Sequence, residues 1–453
     1  MDIDPRQPAK TIQDFTRRQW IKGGGALAGS LLWPRLLQAN PDASAKRCIL
    51  IYLQGGLSHY ESFDPKPNAP SAYRGEFGTI RTSIPGIHFS EHLPKLAKRA
   101  HKFNLIRSAY VDSPSHPVAI YQTLTGVPLA AANVTGTNRN YVHPSVGSWV
   151  AKTFAGKTKG LPPYVAIPHS GQLGIRVHFA SSGSLGAEFE PMESGMTPDT
   201  AKAPYLAPQS LAQSRENPLS RIHGRFGLLN TLEGQQNLPE SVTGLGDYHR
   251  HAAEMISSGK AAQAFDLNQE PAKARERYGD HLWGQQTLLA RRMAEADVPF
   301  TLLNYTLDQE RGQDWDTHKD NFNLMRDVLL PPMDHSVSIL LDDLEERGLL
   351  GTTLIAMYGE FGRTPKINRD AGRDHWEKVF SIFLAGGGLK SGVILGSSTT
   401  AGDVPKDRPV HFNEVLATIY HQLGVPLLDS VMAPDGRPIP ILTSGKPIAE
   451  LIA

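Results

Sequence analysis

The stretch Gly359–Pro365, GEFGRTP, places a carboxylate between glycines directly after a strand-like apolar run, Thr353–Tyr358. In α/β proteins chemistry gathers outside the carboxyl ends of strands, where backbone turns let polar side chains converge. Glu360 there can hold a metal, move a proton or cap a turn. Arg363, three residues on, can fork onto a sulfate, phosphate or carboxylate. Four other polar groups follow strand-like runs or lie near this one. After Cys48–Leu53 comes QGGLSHYESFDPKP, with Gln54, Ser58, His59 and Asp64. Its paired glycines permit close approach of a ligand, although a plain glycine turn reads the same way. After Phe103–Tyr110 comes Asp112-Ser113-Pro114-Ser115-His116, ahead of a helix-like segment. A helix start favours anions, but Ser113 or Ser115 as an ordinary cap needs the same geometry.

The remaining two groups carry the strongest metal signal. Asp314-Trp315-Asp316-Thr317-His318 follows the run Pro299–Asn304. An Asp-x-His pair in extended chain points both side chains to one side, as two ligands of one ion would require. The alternative is a surface loop in which Asp320 caps the next helix. The last group, Arg373-Asp374-His375-Trp376, offers a further ligand or a proton carrier. A local Arg–acid ion pair explains it equally. Carboxylates, an amide and imidazoles together suit Ca²⁺, Mg²⁺, Mn²⁺ or Zn²⁺. The candidate metal ligands are thus Gln54, Asp316, His318, Glu360, Asp374 and His375. The candidates for proton transfer, nucleophilic attack or anion binding are Ser58, His59, Asp112, Ser113, His116 and Arg363.

The elements that must position these groups alternate. Strands are expected at Cys48–Leu53, Phe103–Tyr110, Tyr164–Ile167, Pro299–Asn304, Thr353–Tyr358 and Phe380–Leu384. Helices are expected at Gly284–Asp297, over Asn321–Arg347 with a break at Pro331-Pro332, and at Val415–Leu423. That alternation predicts an α/β fold, a mainly parallel doubly wound sheet with helices on both faces. Residues 180–245, rich in Pro, Gly, Ser and Gln without a period, read as an irregular insertion.

Bulk composition excludes several classes. Among 453 residues, 40% are hydrophobic and 20% charged, as in soluble globular chains. The net charge of +1 gives no electrostatic reason for a nucleic-acid partner. Cys48 is the only cysteine, which rules out an internal disulfide and any multi-cysteine metal site. At the N-terminus, Thr16–Lys22 (TRRQWIK) precedes an apolar, glycine-rich run, Gly23–Trp33, too short to cross a bilayer. Small residues follow, with Ala43-Ser44-Ala45 suited to cleavage. The segment resembles a twin-arginine export signal. The expectation is therefore a leader over residues 1–45, recognised by the twin-arginine machinery. One domain over 46–453 would follow, periplasmic or otherwise exported, with no stable membrane span.

The order of motifs resembles the DUF1501 family of exported bacterial proteins, sulfatase-like members of the alkaline phosphatase superfamily. The likeness rests on GGLSHYESFDPKP, YRGEF, EHLPKLAK, WDTHKDNF, LDDLEERGLL, GEFGRTP, GRDHW, AGGGLKSGVILG and RPVHFNEVLATIYHQLG. It implies an alkaline phosphatase/sulfatase-like fold and a divalent metal. By that resemblance Glu360 stands where sulfatases carry a metal-binding aspartate, and Phe361 replaces a second ligand. Asp112 takes the nucleophile's place and His116 the place of an arginine. Gln54-Gly55 stands where paired aspartates end the first strand. No cysteine is placed for conversion to formylglycine, so ordinary sulfatase chemistry is not expected. The expectation is an exported, metal-dependent hydrolase of sulfate or phosphate esters, of small molecules or polysaccharides. Its nucleophile would be a metal-activated water, Ser58 or Ser113. The alternative is a non-catalytic protein binding a glycan or partner on a degenerate sulfatase scaffold.

Overall fold

Strand β1, Arg47–Tyr52, is buried along its whole length, and its alternate residues feed two separate cores. Ile49 and Ile51 join one; Cys48, Leu50 and Tyr52 join the other. A strand apolar on both faces must lie in the middle of a covered sheet. The computed structural model describes residues 43–127, 143–171, 178–196, 250–305 and 314–453, with isolated positions between 208 and 231. Residues 1–42 of the expected leader, and most of the expected insertion beyond residue 196, lie outside the described residues. Ala45, at the expected cleavage site, is buried and donates its N–H to the Gln422 carbonyl at 2.9 Å.

The other sheet strands are β2 (Asn104–Tyr110), β3 (Tyr164–Ile167), β4 (Met192–Glu193), β5 (Phe300–Asn304), β6 (Thr353–Tyr358), β7 (Phe380–Gly386), β8 (Ile394–Leu395) and β9 (Val410–His411). Their order is β8-β2-β7-β6-β1-β5-β3-β4, with β9 also paired to β2. All pairs are parallel except those of β7, which runs antiparallel to both β2 and β6. Helices α1 (His116–Thr125), α2 (Val146–Thr153) and α5 (Phe412–Gln422) pack in the core that takes Cys48 and Leu50. Helices α3 (Leu282–Glu295) and α4 (Leu330–Glu346) pack in the core that takes Ile49 and Ile51. The fold is therefore the expected α/β sheet covered on both faces.

Two details differ from expectation. Pro331 and Pro332 do not break the long helix: they sit in the first turn of α4, where their missing N–H groups cost no bond. The helical path before them is carried by a wider π-turn over Leu324–Leu329. The reversal of β7 is the second difference, and it matters for the site. Because β7 returns antiparallel from β6, the link between them stays at the carboxyl end of β6. There Gly362–Arg363 and His375–Trp376 pair as a short antiparallel ribbon, with His375 opposite Arg363. No helix among the described residues is long and apolar enough to cross a membrane.

Candidate metal centre

Two loops and one helix start meet over the carboxyl ends of β2, β5 and β6. The loop Asp314–His318 brings Asp316 and His318. The start of α1 brings His116, and the ribbon after β6 brings His375. His116, Asp316 and His375 each offer a ligand atom, and these atoms lie within 4.8 Å of one another. His116 Nε2 lies 3.2 Å from Asp316 Oδ2. His318 Nε2 and His375 Nε2 each lie 3.1 Å from Asp316 Oδ1, and 2.8 Å from one another. Atoms bound tetrahedrally to one ion at ordinary distances stand roughly 3.3 Å apart, so the separations of Asp316 from His116 and His375 match a shared ligand sphere, while His318 lies outside that group of three.

The opposite ring nitrogens decide which way the lone pairs face. His375 Nδ1 donates to the Pro114 carbonyl at 2.8 Å. His318 Nδ1 donates to Asp374 Oδ1 at 2.7 Å, and His116 Nδ1 to Glu360 Oε1 at 2.6 Å. A carbonyl or a carboxylate only accepts, so each Nδ1 carries the proton. Each Nε2 then faces Asp316, donating to it where the ring is protonated and offering a lone pair where the ring is neutral. Metal-binding histidines are held in this way by their second nitrogen. Glu360, fully buried, accepts the Gly55 N–H on both oxygens at 3.0 Å besides orienting His116.

The charges are tightly coupled. Burial would raise the Asp316 carboxyl, but bonds from His116 and His375 and the Arg363 charge hold it far below the usual carboxylate range. Burial would lower His116, but Asp316 and Glu360 outweigh it and push the ring up to about 9. Asp374 is likewise lowered: burial acts upward, and the bond from His318 prevails. Phe361 takes no polar role. Its ring packs 4.8 Å from His116 and 4.5 Å from His375, an apolar wall behind two imidazoles.

Of the other sequence candidates, Arg363 meets the cluster as a brace and the rest are tied elsewhere. Arg363 is fully buried and committed: it donates to the carbonyls of Gly55, Gly56 and Arg373 and to Asp316 at 2.5 Å. It braces Asp316 and is not presented to a substrate anion. Ser58 donates its hydroxyl to Glu61, which also receives the Arg373 guanidinium. His59 donates Nε2–H to the Gly402 carbonyl at 2.9 Å; burial lowers its pKa to about 4 and keeps it neutral. Asp64 pairs with Lys66 and accepts from Ser398. Asp112 is half exposed and accepts from Gln122 at 2.6 Å and His411 at 3.2 Å. Ser113 Oγ accepts from the Ser115 N–H, and Ser115 makes no side-chain cap on α1. The Gln54 amide nitrogen is buried without a partner, and its backbone carbonyl accepts from Trp315.

Sequence reasoning passed over Glu61 and Pro114. Glu61 and Arg373 form a buried pair beneath the ribbon, and Pro114 holds His375 through a backbone carbonyl. Nothing in the sequence links Glu61 to Arg373, 312 residues away, and a main-chain acceptor leaves no sequence signal at all.

Among solved structures, the chain is similar to the PsFucS1 sulfatase from Pseudoalteromonas sp.. The identity is 11%, with 88% of this chain and 72% of that one covered and a TM-score of 0.38. It is also similar to a phosphonate monoester hydrolase from Silicibacter pomeroyi, at 13% identity, covering 90% and 78%, TM-score 0.36. A protein in the alkaline phosphatase superfamily from Vibrio parahaemolyticus aligns at 10% identity, covering 86% and 69%, TM-score 0.35. No curated protein matches the sequence. Residues 45–452 match the family described as "Protein of unknown function (DUF1501)", and the chain belongs to that family.

Proposed function

We propose that this protein is a metal-dependent hydrolase acting on sulfate or phosphate esters, exported by way of its N-terminal twin-arginine segment. The carrying observation is the convergence of three imidazole Nε2 atoms on the Asp316 carboxylate, with every Nδ1 already donating elsewhere. Lone pairs crowded on a carboxylate repel unless a cation or added protons lie between them. The residues fit a divalent cation, held by Asp316, His375 and His116. When bound, such an ion supplies charge for an ester oxygen and lowers the pKa of a water. Arg363 fixes the position of Asp316, while Glu360 and Asp374 fix the rings of His116 and His318. Phe361 excludes water from behind two of the rings. With Ser58 donating to Glu61 and Ser113 tied to Ser115, water is favoured over a serine as the attacking group.

Elemental analysis of purified protein and hydrolysis of a panel of sulfate, phosphate and phosphonate esters test this reading. The expected result is bound divalent metal and an ester activity that chelation removes and His375→Ala abolishes. Metal-free protein, inert across the panel after metal is added, would overturn it. The commitment of Arg363 to internal partners supports a second reading, a glycan- or partner-binding protein without catalysis. Under that reading, glycan binding survives His375→Ala.

A further inference from the structure

Three acids surround the histidine cluster, yet only one of them faces it. Glu360 lies behind His116, its two oxygens taken by Nδ1 of that ring and by the Gly55 N–H. Asp374 lies behind His318, accepting from Nδ1 at 2.7 Å and from the Asn368 amide at 3.3 Å. The Pro114 carbonyl lies behind His375 and is likewise occupied. The inner face of the site therefore presents three imidazole nitrogens and the single carboxylate of Asp316. Calcium takes six to eight oxygens, and magnesium an octahedron of oxygens. Neither requirement is met by an inner face three-quarters nitrogen. Imidazole-rich sets suit zinc, cobalt and the other first-row transition ions.

We infer that this centre takes one first-row transition ion through His116, His375 and Asp316, and discriminates against calcium and magnesium. Glu360 and Asp374 act as positioning residues, not as ligands. The inference rests on the metal-site reading above and narrows it to a class of ion.

The experiment uses the full chain stripped with a chelator and then titrated separately with Zn²⁺, Co²⁺, Mn²⁺, Ca²⁺ and Mg²⁺. Calorimetry, the rise in melting temperature and, for Co²⁺, the visible absorption spectrum are the readouts. One ion per chain is expected, with zinc and cobalt bound at least about 100-fold more tightly than calcium or magnesium. Cobalt should give visible bands of nitrogen-rich, low-coordinate geometry. His375→Ala, at a partly exposed ring, should change those bands. Glu360→Gln should weaken binding by about 10- to 100-fold while keeping one ion per chain. Calcium or magnesium binding as tightly as zinc would overturn the inference while leaving a metal site standing. Binding of no ion at all would overturn both readings. Cobalt bands unchanged in His375→Ala would overturn the assigned ligand set. Metal-free melting temperatures of the variants separate lost folding from lost binding.

Discussion

At the scale of single residues, the site depends on atoms that approach too closely for substitution. Gly55 has φ of +110°, and an added Cβ would lie 2.3 Å from the Asp316 amide nitrogen and 2.7 Å from the Trp315 carbonyl carbon. That backbone cannot yield without moving Asp316. Gly55→Ala is expected to cost about 3 kcal/mol or more and to weaken metal uptake, both readable from urea unfolding and calorimetry. A Gly55→Ala protein of unchanged stability and metal affinity would show that the loops are more compliant than this contact implies. His59 acts at the same scale but through protonation. Burial lowers its pKa to about 4 from an ordinary 6.5, so the unfolded chain binds the extra proton first. Its contribution to stability is complete above pH 6.5 and is lost as pH falls from there toward 4, by about 3 kcal/mol in all. Unfolding free energies measured across that range should show the loss, and His59→Asn should flatten it. A slope unaltered in His59→Asn would assign the acid sensitivity elsewhere.

At the scale of elements, the ribbon after β6 is held from below by the Glu61–Arg373 pair. Arg373 donates to Glu61 at 2.7 Å, to the carbonyls of Thr364 and Tyr73, and stacks 4.2 Å from the Tyr60 ring. Both side chains are buried. Removing one leaves the other charge uncompensated, so Arg373→Met is expected to destabilise by about 3–5 kcal/mol. The double change Glu61→Met with Arg373→Met should recover part of that loss, because no lone buried charge remains. Equal losses in the single and double variants would mean that packing, not charge, sets the cost. Since His375 and Asp374 ride on this ribbon, metal affinity in Arg373→Met should fall with stability. The sheet has a part in this as well. The antiparallel course of β7 keeps the chain at the carboxyl end of β6 for the whole of 359–379, which is how Glu360, Arg363, Asp374 and His375 come to share one site.

At the scale of the whole molecule, most of the architecture was legible in the amino-acid sequence. The runs TLIAMY and YVAI occupy β6 and β3 residue for residue, because a strand buried on both faces must be apolar throughout. The direction of β7 was not legible, since an apolar run carries no sign of its polarity. Nor did Pro331-Pro332 announce that a π-turn would lead up to them and leave them in the first turn of α4. At the site, the positions of Asp316, His318 and His375 were readable from residue type and place after strands. Their division of labour was not. Glu360 and Asp374 carry the same carboxylate as Asp316, and only the three-dimensional arrangement turns them toward Nδ1 atoms and leaves Asp316 facing Nε2. Arg363 read as an anion fork, but folding surrounds it with the carbonyls of Gly55, Gly56 and Arg373. Taken by itself, the sequence determined the alternation of strands and helices and which polar groups stand at strand ends, because burial and periodicity are properties of the chain. Tertiary structure alone decided which of those groups meet and which ring nitrogen faces inward. Both depend on hydrogen-bond acceptors 56 to 261 residues away, and one of those acceptors is a main-chain carbonyl that any residue would supply.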